Sequence, residues 1–250
     1  MSMDLFRKIV DEAETIPQVE MITITGLGEP LLDKHLMERL KYIRKVMPAI
    51  KLDVFTNGSH LTVDKAKELR DAGLTNLYVS INAVDKRKRS AIMKLDDYDE
   101  LEPRLHQIIE ECDPQMRVVV KAVCSKDLME VGEAEIFMDK WNGPFDKISE
   151  KTGRLGNGFL HLEGNWAGEM WPMRVAPTTI CSRVLAQIMV LWDGRVSLCC
   201  FDGEGEVIFG DLNTQGIREI YNGPKALEYR QAHFDGRRGE MKLCATCTAI

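Results

Sequence analysis

Residues 21–30, MITITGLGEP, decide how the first half of the chain is read: an apolar run from Met21 to Thr25 drops into the loop Gly26-Leu27-Gly28-Glu29-Pro30. A short apolar run closed by glycine and proline reads as a buried strand. Outward from it the same alternation continues. Leu5, Ile9, Val10 and Ala13 make a helical stripe before it, and Leu36, Leu40, Ile43 and Val46 make another after it, ended by Met47-Pro48. The strand KLDVF, Lys51 to Phe55, leads into Thr56-Asn57-Gly58, after which Thr62 caps a helix through Leu69 that stops at Gly73. Leu77 to Ile81 and Val118 to Val123 are further strands, the second preceded by a helix around Leu105 to Cys112. Strand and helix alternating to about Glu150 predict βα units around a parallel sheet. Chemistry in such folds gathers at the C-terminal strand ends, here Gly26 to Pro30, Thr56 to Gly58, Ser80 to Asn82 and Lys121 to Ser125.

The composition sets outer limits. A chain of 250 residues with 44% apolar content buries a large core, as one big domain or two modest ones, which excludes disordered and fibrous classes. Thirty-three Lys plus Arg against 39 Asp plus Glu give a net charge of −6, so no electrostatic footprint for a nucleic acid is present. No apolar run approaches the roughly 18 residues of a membrane span, and the opening MSMDLFRKIVDEAETI is acidic and amphipathic rather than a signal peptide. These features predict a cytoplasmic protein without membrane or nucleic-acid partners.

Between about Gly143 and Ala176 periodicity fades and Gly, Pro and Trp accumulate, which predicts a domain change. We divide the chain into residues 1–165 and 166–250. In the second part Ile188 to Trp192 and Arg195 to Cys200 read as a hairpin joined by Asp193-Gly194, the pair a type I′ turn prefers. Five of the seven cysteines fall there: Cys181, Cys199, Cys200, Cys244 and Cys247. In a reducing compartment they point to a metal site rather than to disulfides. Cys181, Cys199, Cys244 and Cys247 supply four thiolates, which suit a structural zinc or an iron–sulfur cluster. A single CxxC, Cys244 to Cys247, instead of the two knuckles of a zinc ribbon, tilts the choice modestly toward a cluster. Cys200, adjacent to Cys199 on a strand, points to the opposite face and reads as a small buried hydrophobe.

These residues resemble a known family. Cys181, then Gly194, Cys199 and Cys244-Ala-Thr-Cys247, within VLWDGRVSLCCFD, GDLNTQGIREIYNG and YRQAHFDGRRGEMKLCATC, look like the auxiliary-cluster domain of radical S-adenosylmethionine (SAM) enzymes, in its SPASM or shorter single-cluster twitch form. Thr25-Gly26-Leu27-Gly28-Glu29-Pro30 is similar to the family's GGEP motif, with Leu27 departing at its first glycine. The resemblance implies that Gly26, Gly28, Glu29 and Pro30 meet the amino group of SAM. It also implies that Asn57, Ser80 and Asn82 reach its carboxylate or ribose, and that Cys181, Cys199, Cys244 and Cys247 hold an auxiliary [4Fe-4S] cluster. The fold implied is α/β, a partial (β/α)6 TIM-like barrel with a small C-terminal hairpin-plus-helix cluster domain.

The family's CxxxCxxC, whose three thiolates hold the SAM-reducing cluster, does not occur in the 250 residues. The expectation is that the first strand and cluster loop are missing from this sequence, that a second [4Fe-4S] comes only with that segment, and that the chain as written does not cleave SAM. With it, the resemblance implies a 5′-deoxyadenosyl radical that oxidises or modifies a small molecule or peptide, dehydrogenation being the preferred reaction, with flavodoxin or ferredoxin as external electron donor. The alternative from another class is a non-catalytic binding or partner protein stabilised by four cysteines on zinc or a cluster. No catalytic residue is assigned.

Other motifs receive plainer readings. DKRKRSAIMK, 85–94, is read as a solvated helix face, because acidic Asp96, Asp97, Asp99 and Glu100 follow at once. Gly153 to Gly158, GRLGNG, is read as a loop rather than a phosphate cradle. His35, His60, His106, His161 and His233 lack metal-ligand spacing and are read as structural. Cys112 and Cys124 are read as core packing, Lys121 as close to a strand end that faces SAM, Glu29 as a positioning residue rather than a base, and Asn165 and Trp166 as lining a substrate pocket.

Overall fold

The computed structural model describes residues 1–26, 28–113, 115–123, 132–142, 158–161 and 180–247. Leu27, Cys124, Gly153 to Asn157, Asn165 and Trp166 lie outside the described residues. The chain divides into two compact units: one is Glu20–Trp171, the other joins Met1–Val19 to Pro172–Ile250.

The first unit is built on five parallel strands in sequential order: β1 (Met21–Ile24), β2 (Lys51–Thr56), β3 (Asn76–Ser80), β4 (Arg117–Val123) and β5 (Gly158–His161). Their connections carry α2 (Leu36–Val46), α3 (Val63–Asp71), α4 (Lys86–Met93), α5 (Tyr98–Cys112) and α6 (Glu133–Asn142), following α1 (Met3–Glu14). Parallel strands in sequential order, joined by right-handed crossovers, carry their helices on one side of the sheet. This is the partial-barrel arrangement expected from the βα pattern. Leu52, Val54, Leu77, Val79, Val118 and Val120 are completely buried, as are Leu40, Ile43, Leu69, Leu101, Leu105 and Ile108 of the helices. Asp53, Phe55, Asn76 and Tyr78 alternate onto the other face, where the Phe55 and Tyr78 rings stack with centroids 4.4 Å apart.

The caps follow the sequence closely. The Thr62 hydroxyl accepts from the Lys65 amide at 3.1 Å and opens α3. At its far end Leu74 N donates to Leu69 O and Gly73 N to Arg70 O, the paired bonds of a Schellman stop. Cys112 is buried in α5, as expected.

The second unit contains α7 (Ser182–Ala186), α8 (Ile217–Tyr221), α9 (Pro224–Phe234) and the antiparallel sheet β6 (Met189–Val190), β7 (Arg195–Ser197), β8 (Ile208–Asp211). The predicted hairpin is present, but its turn is of another type. Gly194 N donates to Leu191 O, and Leu191 N donates to Arg195 O, so the turn is centred on Trp192-Asp193, with Gly194 at φ +97° as the left-handed bulge residue. A type I′ turn would need positive φ at Asp193 as well, which is absent. Asp193 instead spends its carboxylate on Arg195, at 2.7 Å to Nε and 3.1 Å to the amide.

Helix α1 groups with this second unit, although the sequence division at 165/166 assigns it to the barrel domain. Lys8 Nζ donates to Leu212 O and Arg218 Nη2 to Thr15 O at 2.9 Å. The Glu12 carboxylate accepts from Ile217 N, at the start of α8, where Gly216 has no side chain to cap with.

Candidate functional sites

At the C-terminal ends of the barrel strands, three loops are cross-linked by two charged side chains. The first is Glu29. One carboxylate oxygen accepts from Leu31 N at 3.0 Å and from the Thr56 hydroxyl at 2.6 Å, and the other accepts from Asn57 N at 2.8 Å. Glu29 therefore fastens the loop after β1 to the end of β2, and its oxygens are spent on donors, as befits a positioning residue. Thr56 is itself buried, and its hydroxyl accepts from Gly58 N. A Cβ placed on Gly26 or Gly28 would meet nothing within 4 Å, so the backbone of this loop borders open space that a ligand can approach closely.

The second is Arg89, with 0% of its surface exposed. Its Nη2 donates to Asn57 O at 2.8 Å, and its Nη1 to Ile81 O at 3.2 Å and Ser80 O at 3.4 Å. Its remaining donors form a fork on Asp97, Nε to Oδ1 at 2.5 Å and Nη2 to Oδ2 at 3.2 Å. Arg89 thus holds the ends of β2 and β3 together from behind. Burial would raise the Asp97 carboxyl, but the hydrogen bond and charge of Arg89 hold it below its ordinary value.

This corrects the reading of residues 85–94 as a solvated face. Asp85 caps α4 through the Lys88 amide at 2.7 Å, Lys88 is buried and lies 3.3 Å from the Glu133 carboxylate, and Arg89 is fully interior. Charge counting along the chain could not separate a cation that faces water from one that faces carbonyls. The run of aspartates after it was the available signal, since one of them is the partner.

Of the remaining barrel residues singled out, Asn57 Oδ1 accepts from Ser59 N at 2.9 Å, and Asn82 stands at φ +49° with Nδ2 3.1 Å from Met93 Sδ. Lys121 O accepts from Ile81 N at 2.9 Å and from Asn82 N at 3.3 Å, while its Nζ lies 5.1 Å from the Phe55 ring centroid. Gly26, Gly28, Glu29, Pro30, Asn57, Ser80 and Asn82 accordingly lie on three neighbouring strand ends.

The second unit gathers the thiols. Cys181 and Cys244 are buried in one apolar cluster with Val184, Leu198, Val207, Tyr229, Ala232 and Met241, and Cys199 packs against it. Burial pushes the Cys199 thiol up to about 11, and charge on Cys200, Cys247 and Cys181 adds to the rise. Cys244 is pushed up to about 12 by burial, then by Cys199, Cys247 and Cys181, against the opposing pull of Arg238. The four predicted ligands therefore lie within one another's electrostatic reach around a single core. Among the described residues, no three His, Cys, Asp or Glu side chains stand as a ready-made ligand set for one metal ion. Three thiols in or against one apolar cluster, with Cys247 within electrostatic reach of Cys199 and Cys244, are a donor set that fits an iron–sulfur group, whose ligands are thiolates.

Three polar residues that the sequence reading passed over as ligand supports fix this core. Asp202, 2% exposed, accepts from Leu198 N, Glu206 N and Val207 N, and its amide donates to Cys199 O. His233, fully buried, accepts at Nδ1 from Cys181 N at 3.3 Å. Arg238, 3% exposed, donates from Nη2 to Cys247 O.

Family models match both units: the radical SAM superfamily over residues 1–114, and an iron–sulfur cluster-binding domain, SPASM, over residues 181–248. The cofactor-modifying protein for tungsten-containing aldehyde ferredoxin oxidoreductase from Pyrococcus furiosus is 36% identical over 84 residues, which are 34% of this chain and 23% of that protein. The chain thus spans about a quarter of that relative's length. The S-adenosyl-L-methionine-dependent 2-deoxy-scyllo-inosamine dehydrogenase of Niallia circulans is 20% identical over 250 residues, 100% of this chain and 81% of that protein. In fold, the chain is similar to the crystal structure of BtrN in complex with AdoMet and 2-DOIA, with a TM-score of 0.67 at 18% identity, covering 100% of this chain and 81% of that one.

Proposed function

Given that the chain belongs to the radical SAM family, with a C-terminal SPASM iron–sulfur domain, we propose that it serves an enzyme that oxidises or modifies a C–H bond of a small molecule or peptide. Dehydrogenation is the preferred reaction. The observation that supports the reading is that Cys181 and Cys244 are buried in one apolar cluster with Cys199 packed against it, inside the matched cluster-binding domain, with Cys247 within electrostatic reach of Cys199 and Cys244. The dehydrogenase relative, which aligns with the whole chain, supports the choice of reaction. When bound, SAM with its [4Fe-4S] cluster supplies hydrogen-atom abstraction, and the auxiliary cluster supplies a one-electron sink.

The chain's own residues bind and orient. Gly26 and Gly28 leave room at the first loop for the amino end of SAM, and Glu29 holds that loop against β2. Asn57, Ser80 and Asn82 present polar groups at the next two strand ends. The apolar shell of Val184, Leu198, Val207 and Tyr229 shields Cys181 and Cys244 from water. No CxxxCxxC occurs in these 250 residues, so the ligands of a SAM-reducing cluster are not among them.

Anaerobic reconstitution with iron and sulfide, followed by metal analysis, SAM titration calorimetry and chromatography for 5′-deoxyadenosine, tests this. The expected result is about four irons per chain, measurable SAM binding and no deoxyadenosine. A colourless protein holding one zinc refutes it.

A further inference from the structure

Arg238 and His233 are buried polar side chains next to the thiols that the proposed function leaves unused, and unlike Asp202 each keeps a buried nitrogen without a hydrogen-bond partner. Arg238 sits on the 3₁₀ turn Arg238–Glu240, six residues before Cys244, with 3% of its surface exposed. Its Nη2 is spent on Cys247 O, while its Nε is buried and has no hydrogen-bond partner. Burying a guanidinium is costly without a compensating negative charge, yet no carboxylate is paired with it among the described salt bridges. Its field acts on Cys244 and on His233. His233, with 0% exposed, spends Nδ1 on Cys181 N and so carries its proton on Nε2, which is also buried without a partner. This imidazole is neutral and contributes a dipole; the net charge is Arg238's.

We propose that Arg238 is the built-in counter-charge of the four-thiolate site, a positioning and tuning residue that stabilises the reduced, more negative state of the cluster and so sets its potential. The inference rests on the cluster reading above. Four thiolates around an iron–sulfur core carry net negative charge, and each added electron makes it more negative. A fixed cation buried beside two of the ligands favours the reduced form, because the low-dielectric surroundings that make the charge costly also make the attraction strong. Hydrogen bonds, charge and burial around the sulfurs are the levers by which a protein sets such potentials. Arg238 supplies one of them, a buried charge near Cys244, and its hydrogen bond to the carbonyl of Cys247 fixes that charge beside the Cys244–Cys247 loop.

The test compares the reconstituted full-length protein with Arg238→Gln and Arg238→Lys, reading iron content and the EPR-monitored one-electron midpoint potential. For R238Q with iron bound, the ratio of reduced to oxidised cluster at a fixed potential should fall at least tenfold, equivalent to about 59 mV. R238K should stay within threefold of the wild type, since it keeps the charge. If R238Q cannot be loaded, iron retention in R238K at a near wild-type potential supports the charge. The proposal is overturned if loaded R238Q has the wild-type potential, if R238K shifts as far as R238Q, or if both lose the cluster, which would make Arg238 only an anchor for the Cys247 loop. A wild-type protein holding zinc would overturn both this proposal and the cluster reading, whereas unchanged potentials in an iron-loaded protein overturn this one alone.

Discussion

Replacing Arg89 with methionine removes the charge and all five hydrogen bonds while keeping much of the side chain's bulk. Asp97 then loses its ionic partner, and the carbonyls of Asn57, Ser80 and Ile81 lose their donor. Breaking a buried pair from one side costs about 3–5 kcal/mol. The Asp97 side chain keeps 25% of its surface in contact with water, so the lower end, about 3 kcal/mol, is appropriate. For a chain of this size that lowers the melting temperature by roughly 6–12 °C. Arg89→Lys keeps the charge but loses the fork, and should cost about 1–2 kcal/mol. Thermal unfolding followed by circular dichroism measures all three proteins, and SAM calorimetry on the same samples asks whether the loosened strand ends still bind. A melting temperature for R89M within about 2 °C of the wild type would refute the reasoning. So would additive effects of R89M and Asp97→Asn, because a true pair must show coupling.

The acid limb of stability should follow from Asp97. Its folded-state carboxyl lies below the ordinary 3.8, so its contribution is complete above that value and disappears as pH falls through the lowered one; D97N should flatten this part of the pH profile in acid-unfolding titrations. Gly58→Ala should destabilise the barrel by about 1–3 kcal/mol in urea titrations, because the residue stands at φ +82° and a Cβ would lie 2.9 Å from Val79 Cγ1. Cys199→Ala should lose most of the reconstituted iron while Cys200→Ala keeps it; equal iron in both would remove Cys199 from the ligand set.

The βα alternation was legible because each strand is a short apolar run and each helix has a stripe with local stop signals, as Thr62 and Gly73 show. Whatever depends on distant partners was hidden. Asp193-Gly194 looked like a two-residue turn, yet the ladder bond from Leu191 to Arg195 selects a wider one, and nothing within the pair reveals it. Arg89 looked solvated because its helix neighbours are charged, while the carbonyls it serves lie 8 to 32 positions away. The strand-end residues were found through spacing and resemblance. Their fasteners, Thr56 and Asp97, belong to residue types common on any surface. His233 and Arg238 show no ligand spacing, because their bonds go to the backbone of Cys181 and Cys247.

The bonds from α1 to the second unit bear on how the chain matures. Lys8 and Glu12 reach partners 204 and 205 positions later, so the cluster unit is discontinuous in sequence and the barrel unit is an uninterrupted insertion within it. During synthesis the inserted segment emerges before the residues that dock α1, so α1 waits through separations of 204 and 205 residues for its partners. Cys244 and Cys247 emerge later still than the segment that docks α1. Closure of the outer unit thus follows completion of the inserted one. A nascent chain stalled before residue 212 would hold a formed inserted unit beside an unclosed outer one, with the apolar stripe of α1 left open to chaperones and proteases.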